Sequence, residues 1–337
     1  MNYKVLFCSI LVVLLFYNYS LAEDITPKPY KKHKITVVSD NDAYLLPLSD
    51  KYYTAGQRIG YTSREWDFHN EDNSSKGAWL HKISLHPENN VTSFNISINQ
   101  EIYTPENKSV NIPENDYPYG GSLYLTFGVN QRRDKSLERL QLQLGVVGKY
   151  SFAEDVQNGI HNSVNKEHNS PLPWINQVGD EVLINFLYSY TARLRLINSN
   201  IISMYLLPTA MVSLGNGATY LDVNTRLQIG YNLDTSFGVH KITYGMDSIG
   251  VTSDDFMIYL YGGVGSRLMA RNIFVQGNTF QEPYRHKIYP FVLYLEAGFS
   301  IGYNGVELSY GITHKTREYK FQPKEHTYAT IYINFAI

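Results

Sequence analysis

Cysteine is almost absent from this sequence. Its single cysteine, Cys8, lies inside an apolar run that covers residues 5–16. The run follows a basic N-terminal stretch and precedes a small-x-small site that ends at Ala22, which is the pattern of a secretory signal peptide. We therefore expect residues 1–22 to be a cleaved signal peptide and residues 23–337 to form one domain. A mature chain without cysteine excludes disulfides, thiol catalysis and cysteine-bound metal.

The chain also lacks a charge excess and a second long apolar run. No stretch beyond the N-terminus is long enough for a transmembrane helix, and 29 Lys and Arg against 31 Asp and Glu give a formal charge of −2. This balance excludes the basic footprint of a nucleic-acid-binding protein. Tryptophan is scarce at 3 residues, whereas there are 29 Tyr, 15 Phe and 24 Gly. Tyrosine in this quantity is typical of β-strands and membrane interfaces, so the chain is an exported all-β protein, either a sandwich or an outer-membrane barrel.

Period-two alternation decides between these two architectures. In the run Phe94–Tyr103, Phe94, Ile96 and Ile98 share one face, and polar residues occupy the other. Runs of about nine or ten residues suit a strand that crosses a bilayer around a polar lumen, whereas strands of sandwiches are about five or six residues long. About twelve such runs occur, beginning with Lys34–Asp42 and Gln57–Trp66. The sequence therefore predicts a transmembrane antiparallel β-barrel of about twelve strands.

Strand parity predicts where the unusual polar residues meet. If the first strand leaves the periplasm, the loops after strands one, three and five all emerge on the outer side. The side chains of interest on these three loops are Asn41, Asp42, Asp50 and Thr54, then Asn107, Lys108 and Asp116, then Glu154, Gln157, His161 and Glu167. The last four belong to Ala153–Glu167, a polar segment with helical spacing. Because Gln157 and His161 are four residues apart, they share one face of such a helix. The alternative interpretation is a solvated surface helix with an idle histidine.

Several short motifs appear in a fixed order along the chain. They are Asn41-Asp42, Asp50-x-x-Tyr53-Thr54-x-Gly56, Gln100-x-x-Tyr103-Thr104-Pro105, Asp116-x-Pro118-Tyr119-x-Gly121, Gln157-Asn158-x-x-His161, Trp174-x-x-Gln177-x-x-x-Glu181 and Glu318-x-x-x-Gln322. With these motifs, nearly the whole mature chain resembles the outer-membrane lipid A 3′-O-deacylase family (LpxR-like). The resemblance implies an esterase in the outer membrane that removes the 3′-linked acyloxyacyl chain from lipid A and requires calcium. It also implies that lipopolysaccharide in the outer leaflet is the partner, and we expect a monomer.

The same resemblance assigns roles to individual residues. It implies that His161 is the general base, with Gln157 beside it. It further implies catalytic roles for Asn41, Asp42 and Thr54, a lysine at the oxyanion in Lys108, and calcium ligands in Asp42 and Glu167.

The chemistry of these residue types is compatible with ester hydrolysis. The reaction needs a base that deprotonates water and a positive group that faces the oxyanion of the tetrahedral intermediate. His161 can accept a proton near neutral pH. A calcium ion on hard oxygen ligands, with Lys108 nearby, can provide the positive charge.

Two other functions stay open at this point. A serine esterase is possible because His161 and His168 are each followed two residues later by a serine, Ser163 and Ser170. On a helix, however, residues two apart point in different directions. The second possibility is a barrel without enzymatic activity that binds lipopolysaccharide or acts as a pore.

Overall fold

The computed structural model describes residues 26–45, 50–70, 78–85, 87–109, 113, 116–164, 171–199, 201–243, 245–280 and 286–337. The predicted signal peptide, residues 1–22, and the predicted calcium ligand Glu167 lie outside the described residues. Among the helices within these ranges, none has the length and apolarity needed to cross a membrane.

One antiparallel sheet forms the wall of the molecule. Its strands are β1 (Lys34–Asn41), β2 (Tyr52–Thr62), β3 (Val91–Thr104), β4 (Gly120–Arg132), β5 (Ser136–Val147), β6 (Glu181–Ala192), β7 (Leu194–Asn198), β8 (Ser203–Gly215), β9 (Ala218–Tyr231), β10 (Met257–Asn272), β11 (Phe291–Tyr303), β12 (Val306–Lys315) and β13 (His326–Ala336). Sequential strands are neighbours, β1 pairs with β13, and β8 pairs with both β6 and β7. Because β6 and β7 are two halves of one wall strand, the sheet closes into a barrel of twelve, which confirms the predicted fold.

Helices are few in the part of the chain that the structure describes. Two α-helices lie there, α1 (Ala153–Val164) and α2 (Ile273–Gln276), and short 3-10 turns cover Asp42–Tyr44, Ala78–Ile83 and Lys149–Ser151. Helix α1 follows β5 and begins at the predicted residue.

The alternation of side chains gives the wall two different faces. On β3, Ile96 and Ile98 are 42% and 48% exposed, whereas Asn95 and Asn99 on the opposite face are 6% and 1% exposed. The same contrast recurs on the other strands. An apolar outer face can lie against lipid acyl chains while polar side chains pair with one another inside.

The first two strands differ from their predicted limits. Strand β1 ends one residue early, because the Asn41 side chain accepts a hydrogen bond from the Ala43 amide (2.6 Å) and caps a 3-10 turn that contains Asp42. Strand β2 begins at Tyr52 rather than Gln57. Its register with β3 shifts between Tyr53 and Ala55, so Thr54 lies in the strand at a bulge instead of in the preceding loop.

The connection between β9 and β10 enters the barrel. We call residues 232–243 and 245–256 the inner segment. The Ile242 amide donates to Asp40 on β1 (3.0 Å), and Asp247 pairs with Arg58 on β2 (3.0 Å). Arg139 on β5 donates to the Asp247 carbonyl (3.2 Å). Since the contacts reach strands around the circumference, the inner segment occupies the lumen.

Candidate active site

The odd-numbered strands β1, β3 and β5 end at the same rim of the barrel, and three connections leave from it. These connections cover residues 42–51, 105–119 and 148–180. Asp50 joins all three. One carboxylate oxygen accepts a hydrogen bond from the Gln157 side-chain amide (3.0 Å), and the other lies 3.2 Å from His161 Nε2. The Lys108 ammonium also pairs with this second oxygen. One carboxylate therefore binds residues from both of the other connections.

Helix α1 is fixed beside the wall by close packing. Gly148 has a φ of 95°, a conformation that glycine adopts readily, and it turns the chain from β5 toward α1. Ala153 in the first turn is buried next to Gly121 of β4, where an added Cβ would overlap it. Along the helix, the Asn158 side chain accepts from the Leu172 amide (2.8 Å). These contacts direct the face that carries Gln157 and His161 toward Asp50.

The electrostatic environment keeps Asp50 ionised. Burial alone would raise the pKa of its carboxyl, but the hydrogen bond from His161 and the charge of Lys108 outweigh burial and lower this pKa to about 2. The carboxylate is therefore a fixed negative charge at neutral pH. His161, with 38% of its side chain exposed, is accessible from outside.

Thr54 and Asp42 reach the backbone next to Asp50. The Thr54 hydroxyl lies 2.6 Å from the Thr104 hydroxyl, which in turn donates to the Asp50 carbonyl (3.3 Å). The Asp42 carboxylate is fully buried and accepts from the Lys51 amide (2.9 Å). Both side chains thus hold the strand end that presents Asp50.

The structure separates the predicted site residues into groups. Lys108, Gln157 and His161 contact one carboxylate directly, and Asp42 and Thr54 support it from below. Asn41 instead caps its own turn.

Asp50 is the residue to which sequence reasoning gave no role. It stood in the predicted loop and in a family motif, but nothing in its spacing showed that it faces a histidine more than a hundred positions away. A neighbouring acid, Glu106, was also missed. Its carboxylate binds Lys51 (2.6 Å) and the Tyr52 hydroxyl (2.8 Å), which ties the second connection to the first.

A layer of buried aromatic rings lies beneath the rim. Tyr103 stacks on Phe274 of α2 with ring centroids 4.0 Å apart, and Tyr53 meets Tyr328 edge-on at 5.1 Å. Tyr117 makes an edge contact with Tyr319 at 5.6 Å. Aromatic pairs of this kind are each worth about 0.5–1.5 kcal/mol beyond the area they bury. The layer gives the site a rigid floor.

The atoms that could coordinate a cation at this site are mostly oxygens. The Gln157 side-chain carbonyl is buried and has no hydrogen-bond partner among the described residues. Within the same part of the chain, no group of three His, Cys, Asp or Glu side chains is placed to hold a metal. A buried carboxylate at Asp42 and the amide oxygen of Gln157 nevertheless fit a hard cation such as calcium, which prefers oxygen ligands. Glu167, the other predicted calcium ligand, lies outside the described residues.

Comparison with known proteins agrees with the fold. The family model described as outer membrane protein LpxR matches residues 6–337. The structure of LpxR from Salmonella typhimurium is similar with a TM-score of 0.71 at 19% identity, over 90% of this chain and 100% of that chain. The β domain of the Bordetella autotransporter BrkA gives a TM-score of 0.44 at 10% identity, over 91% and 99% of the two chains. No curated protein matches the sequence. Because the family model covers nearly the full length, this chain belongs to the LpxR family of outer-membrane proteins.

Proposed function

We propose that the protein is a lipid A 3′-O-deacylase that hydrolyses the ester of the 3′-linked acyloxyacyl chain in the outer leaflet. The observation that supports this function most is the convergence of His161, Gln157 and Lys108 on the Asp50 carboxylate at one rim. An imidazole oriented by a carboxylate can act as the general base of ester hydrolysis, and an ammonium can stabilise the oxyanion.

In the proposed reaction, Asp50 orients His161. With Nε2–H donating to the carboxylate, the other ring nitrogen, Nδ1, is left to accept a proton from water. The water oxygen then attacks the ester carbonyl. The C–O bond to the sugar breaks, the sugar oxygen takes up the proton, and a fatty acid and a sugar hydroxyl are released. Asp50 stabilises the imidazolium that forms during attack, as the carboxylate of a catalytic triad does.

Lys108 and the calcium ion would act on the carbonyl oxygen. The ammonium of Lys108 is half-buried at the rim and can face the negative charge that develops there. Asp42, the side-chain carbonyl of Gln157 and Glu167 would hold the calcium. When bound, the ion supplies polarisation of an ester carbonyl. Chelation of calcium is therefore expected to reduce hydrolysis by about 100-fold or more without unfolding the barrel, and added calcium should restore it.

The surroundings of α1 suit a lipid substrate. Ile160, next to His161, is 54% exposed, and Phe152 before the helix is 55% exposed. On β6, which follows the connection, Val182 and Ile184 face outward at 63% and 43% exposure. Exposed apolar side chains between the histidine and the lipid face of the wall provide a surface along which an acyl chain can lie.

The structure disfavours Ser163 as a nucleophile and an open pore. The Ser163 hydroxyl donates to the Gly159 carbonyl one turn earlier (2.8 Å) and does not contact His161. The other pair, His168 and Ser170, lies outside the described residues. A pore would need an open lumen, but the inner segment occupies it.

Mass spectrometry of lipid A tests the proposal. Cells that express the protein with calcium should lose the 3′ acyloxyacyl group. His161→Ala should lower the rate by about 100- to 10,000-fold, the range for removal of a general base, while the barrel still inserts. Ser163→Ala is the matched control on the same helix and should retain wild-type activity. Unmodified lipid A from folded wild-type protein would instead support a binding function, and equal loss in both variants would support a serine esterase.

A further inference from the structure

Two other loops of the same rim pair with each other. The loop before β11 and the loop between β12 and β13 form an isolated antiparallel bridge between Ile288 and Tyr319. The Lys320 amide donates to the Lys287 carbonyl (2.9 Å), and the Tyr289 amide donates to the Glu318 carbonyl (2.8 Å). This pattern places Lys287 directly opposite Lys320, at a separation of about 5.5 Å between Cα atoms.

The two lysines share the outer face of this bridge. Tyr319 is fully buried and Ile288 packs on the core, whereas Lys287 and Lys320 are exposed. Like charges directly opposite each other on a sheet destabilise it. A neutral residue at either position would remove this repulsion, yet both positions are lysine.

Two more cations extend the surface. Arg317 and Lys324 are exposed in the same loop as Lys320. We call Lys287, Arg317, Lys320 and Lys324 the cationic patch; none of them forms an ion pair with another described residue. Among the acids of the same loop, Glu318 pairs with Lys315 (2.7 Å), and Glu325 lies 3.0 Å from His314, which is charged only when protonated. The charge of Lys324 also acts on the Glu106 carboxylate. The four cations still leave the patch with an excess of positive charge.

The patch is connected to the candidate active site. Tyr319 stacks on His286 with ring centroids 4.6 Å apart, and His286 Nε2 lies 2.6 Å from the Asp116 carbonyl. The Asp116 carboxylate accepts from the Asn107 amide (2.7 Å), next to Lys108. One continuous set of contacts thus joins the base of the patch to the connection that carries Lys108.

We infer that the cationic patch binds the phosphate groups of the glycolipid on which the candidate active site acts. Positive charge opposite a phosphorylated sugar head gives charge complementarity at the membrane surface. Phe321 supports this position because its ring is 63% exposed and lies 4.9 Å from the Lys320 ammonium. Aromatic side chains with neighbouring cations are typical of a membrane–water interface. The choice of glycolipid rests on the proposed function, whereas the phosphate chemistry rests on the patch itself.

Binding measurements test the inference independently of hydrolysis. All proteins carry His161→Ala, so that the ligand is not consumed, and are held in micelles of a neutral detergent. Lipid A with both phosphates should bind the double variant Lys287→Gln/Lys320→Gln about 10- to 30-fold more weakly than the parent, from about 1 kcal/mol per lysine. The Lys149→Gln variant removes an exposed lysine from the same rim, next to α1, and should bind within about twofold of the parent. Higher salt should weaken the parent more than the double variant.

The source of the phosphate is tested with two further ligands. Dephosphorylated lipid A should bind the parent and the double variant equally. Inorganic phosphate, added at millimolar concentration, should not displace lipid A from the parent. Displacement would show that free phosphate is the ligand and would overturn the inference. Equal affinity of the double variant and the parent for intact lipid A, or an equal loss in Lys149→Gln, would also overturn it. Unmodified lipid A in the activity assay, by contrast, would overturn only the proposed function.

Discussion

Replacement of Asp50 by asparagine tests the centre of the proposed site. The substitution keeps the size of the side chain but removes the charge that Lys108, Gln157 and His161 share. We expect the barrel to fold and α1 to stay in place, because packing of Ala153 against Gly121 does not depend on Asp50. Hydrolysis should become slower, since the imidazolium that forms on His161 loses its counter-charge.

The size of the effect follows from the geometry. Two unit charges about 4 Å apart attract each other by about 4 kcal/mol at an effective dielectric constant of about 20. The His161 and Asp50 side chains are 38% and 23% exposed, so solvent screens part of this attraction. Lys108 already offsets part of the negative charge. A net loss of about 2–3 kcal/mol in transition-state stabilisation corresponds to a decrease of about 30- to 150-fold in kcat/KM.

The assay is the initial rate of fatty acid release from lipid A in detergent micelles with calcium, followed by mass spectrometry. Heat-dependent gel mobility reports whether each variant is folded. Glu106→Gln is the matched control, because Glu106 binds Lys51 and the Tyr52 hydroxyl at the same rim. Its rate should stay within about threefold of wild type, as expected for a half-exposed ion pair.

Two results would refute this reasoning. A rate for Asp50→Asn within about twofold of wild type, with His161→Ala inactive, would show that the carboxylate does not assist the imidazole. An equal decrease in Glu106→Gln would show that any loss of negative charge at the rim slows the reaction. The effect would then not be specific to the Asp50 carboxylate.

Three further predictions concern the helix, pH and the lumen. Gly121→Val should displace α1 through overlap with Ala153 and lower hydrolysis by about 100-fold, while heat-dependent mobility still shows a folded barrel. Because the Asp50 pKa is lowered to about 2, its contribution to stability is complete above about pH 4, the unfolded value, and is lost as pH falls toward 2. Hydrogen-exchange protection of α1, corrected for intrinsic rates, should therefore not decrease from about pH 7 to pH 5 and should decrease below about pH 3, and a decrease near pH 6 would contradict this assignment. Asp247→Ala should leave Arg58 buried without its carboxylate, cost about 3–5 kcal/mol, and raise ion conductance in planar bilayers above that of the wild type. Unchanged conductance together with unchanged thermal stability would argue against a closing role of the inner segment.

The strands of the barrel wall could be predicted from the sequence because alternation of apolar and polar residues depends only on near neighbours in the chain. The alternation of Ile96 and Ile98 with Asn95 and Asn99 is set by the two-residue period of a strand, and it holds whichever strands are neighbours. Counting such runs gave the number of wall strands. Parity then brought three loops to one rim, where the described structure places Asp50 and its partners.

The remaining features depend on contacts between distant residues. Asp50 is recognisable only after the helix that carries His161 is placed, and that placement depends on Gly121 and Ala153. The early start of β2 was missed because Tyr53 and Thr54 precede Gly56 in what reads as a turn, whereas burial of both side chains favours the strand. The inner segment has no periodicity at all.

Asp40 connects the inner segment in the lumen to the strand end at the candidate site. This buried residue directly precedes the Asn41-Asp42 pair on β1. Its carboxylate accepts from the Tyr53 hydroxyl (2.9 Å) and from the Ile242 amide of the inner segment (3.0 Å). A buried carboxylate is costly unless its oxygens are satisfied, so the inner segment stabilises the strand end that carries Asp42 as well as closing the lumen. Because Tyr53 also belongs to the aromatic floor, any displacement of the inner segment reaches the rim through Asp40. A barrel of this family that conducts ions would therefore have to hold the residues of this rim by other means.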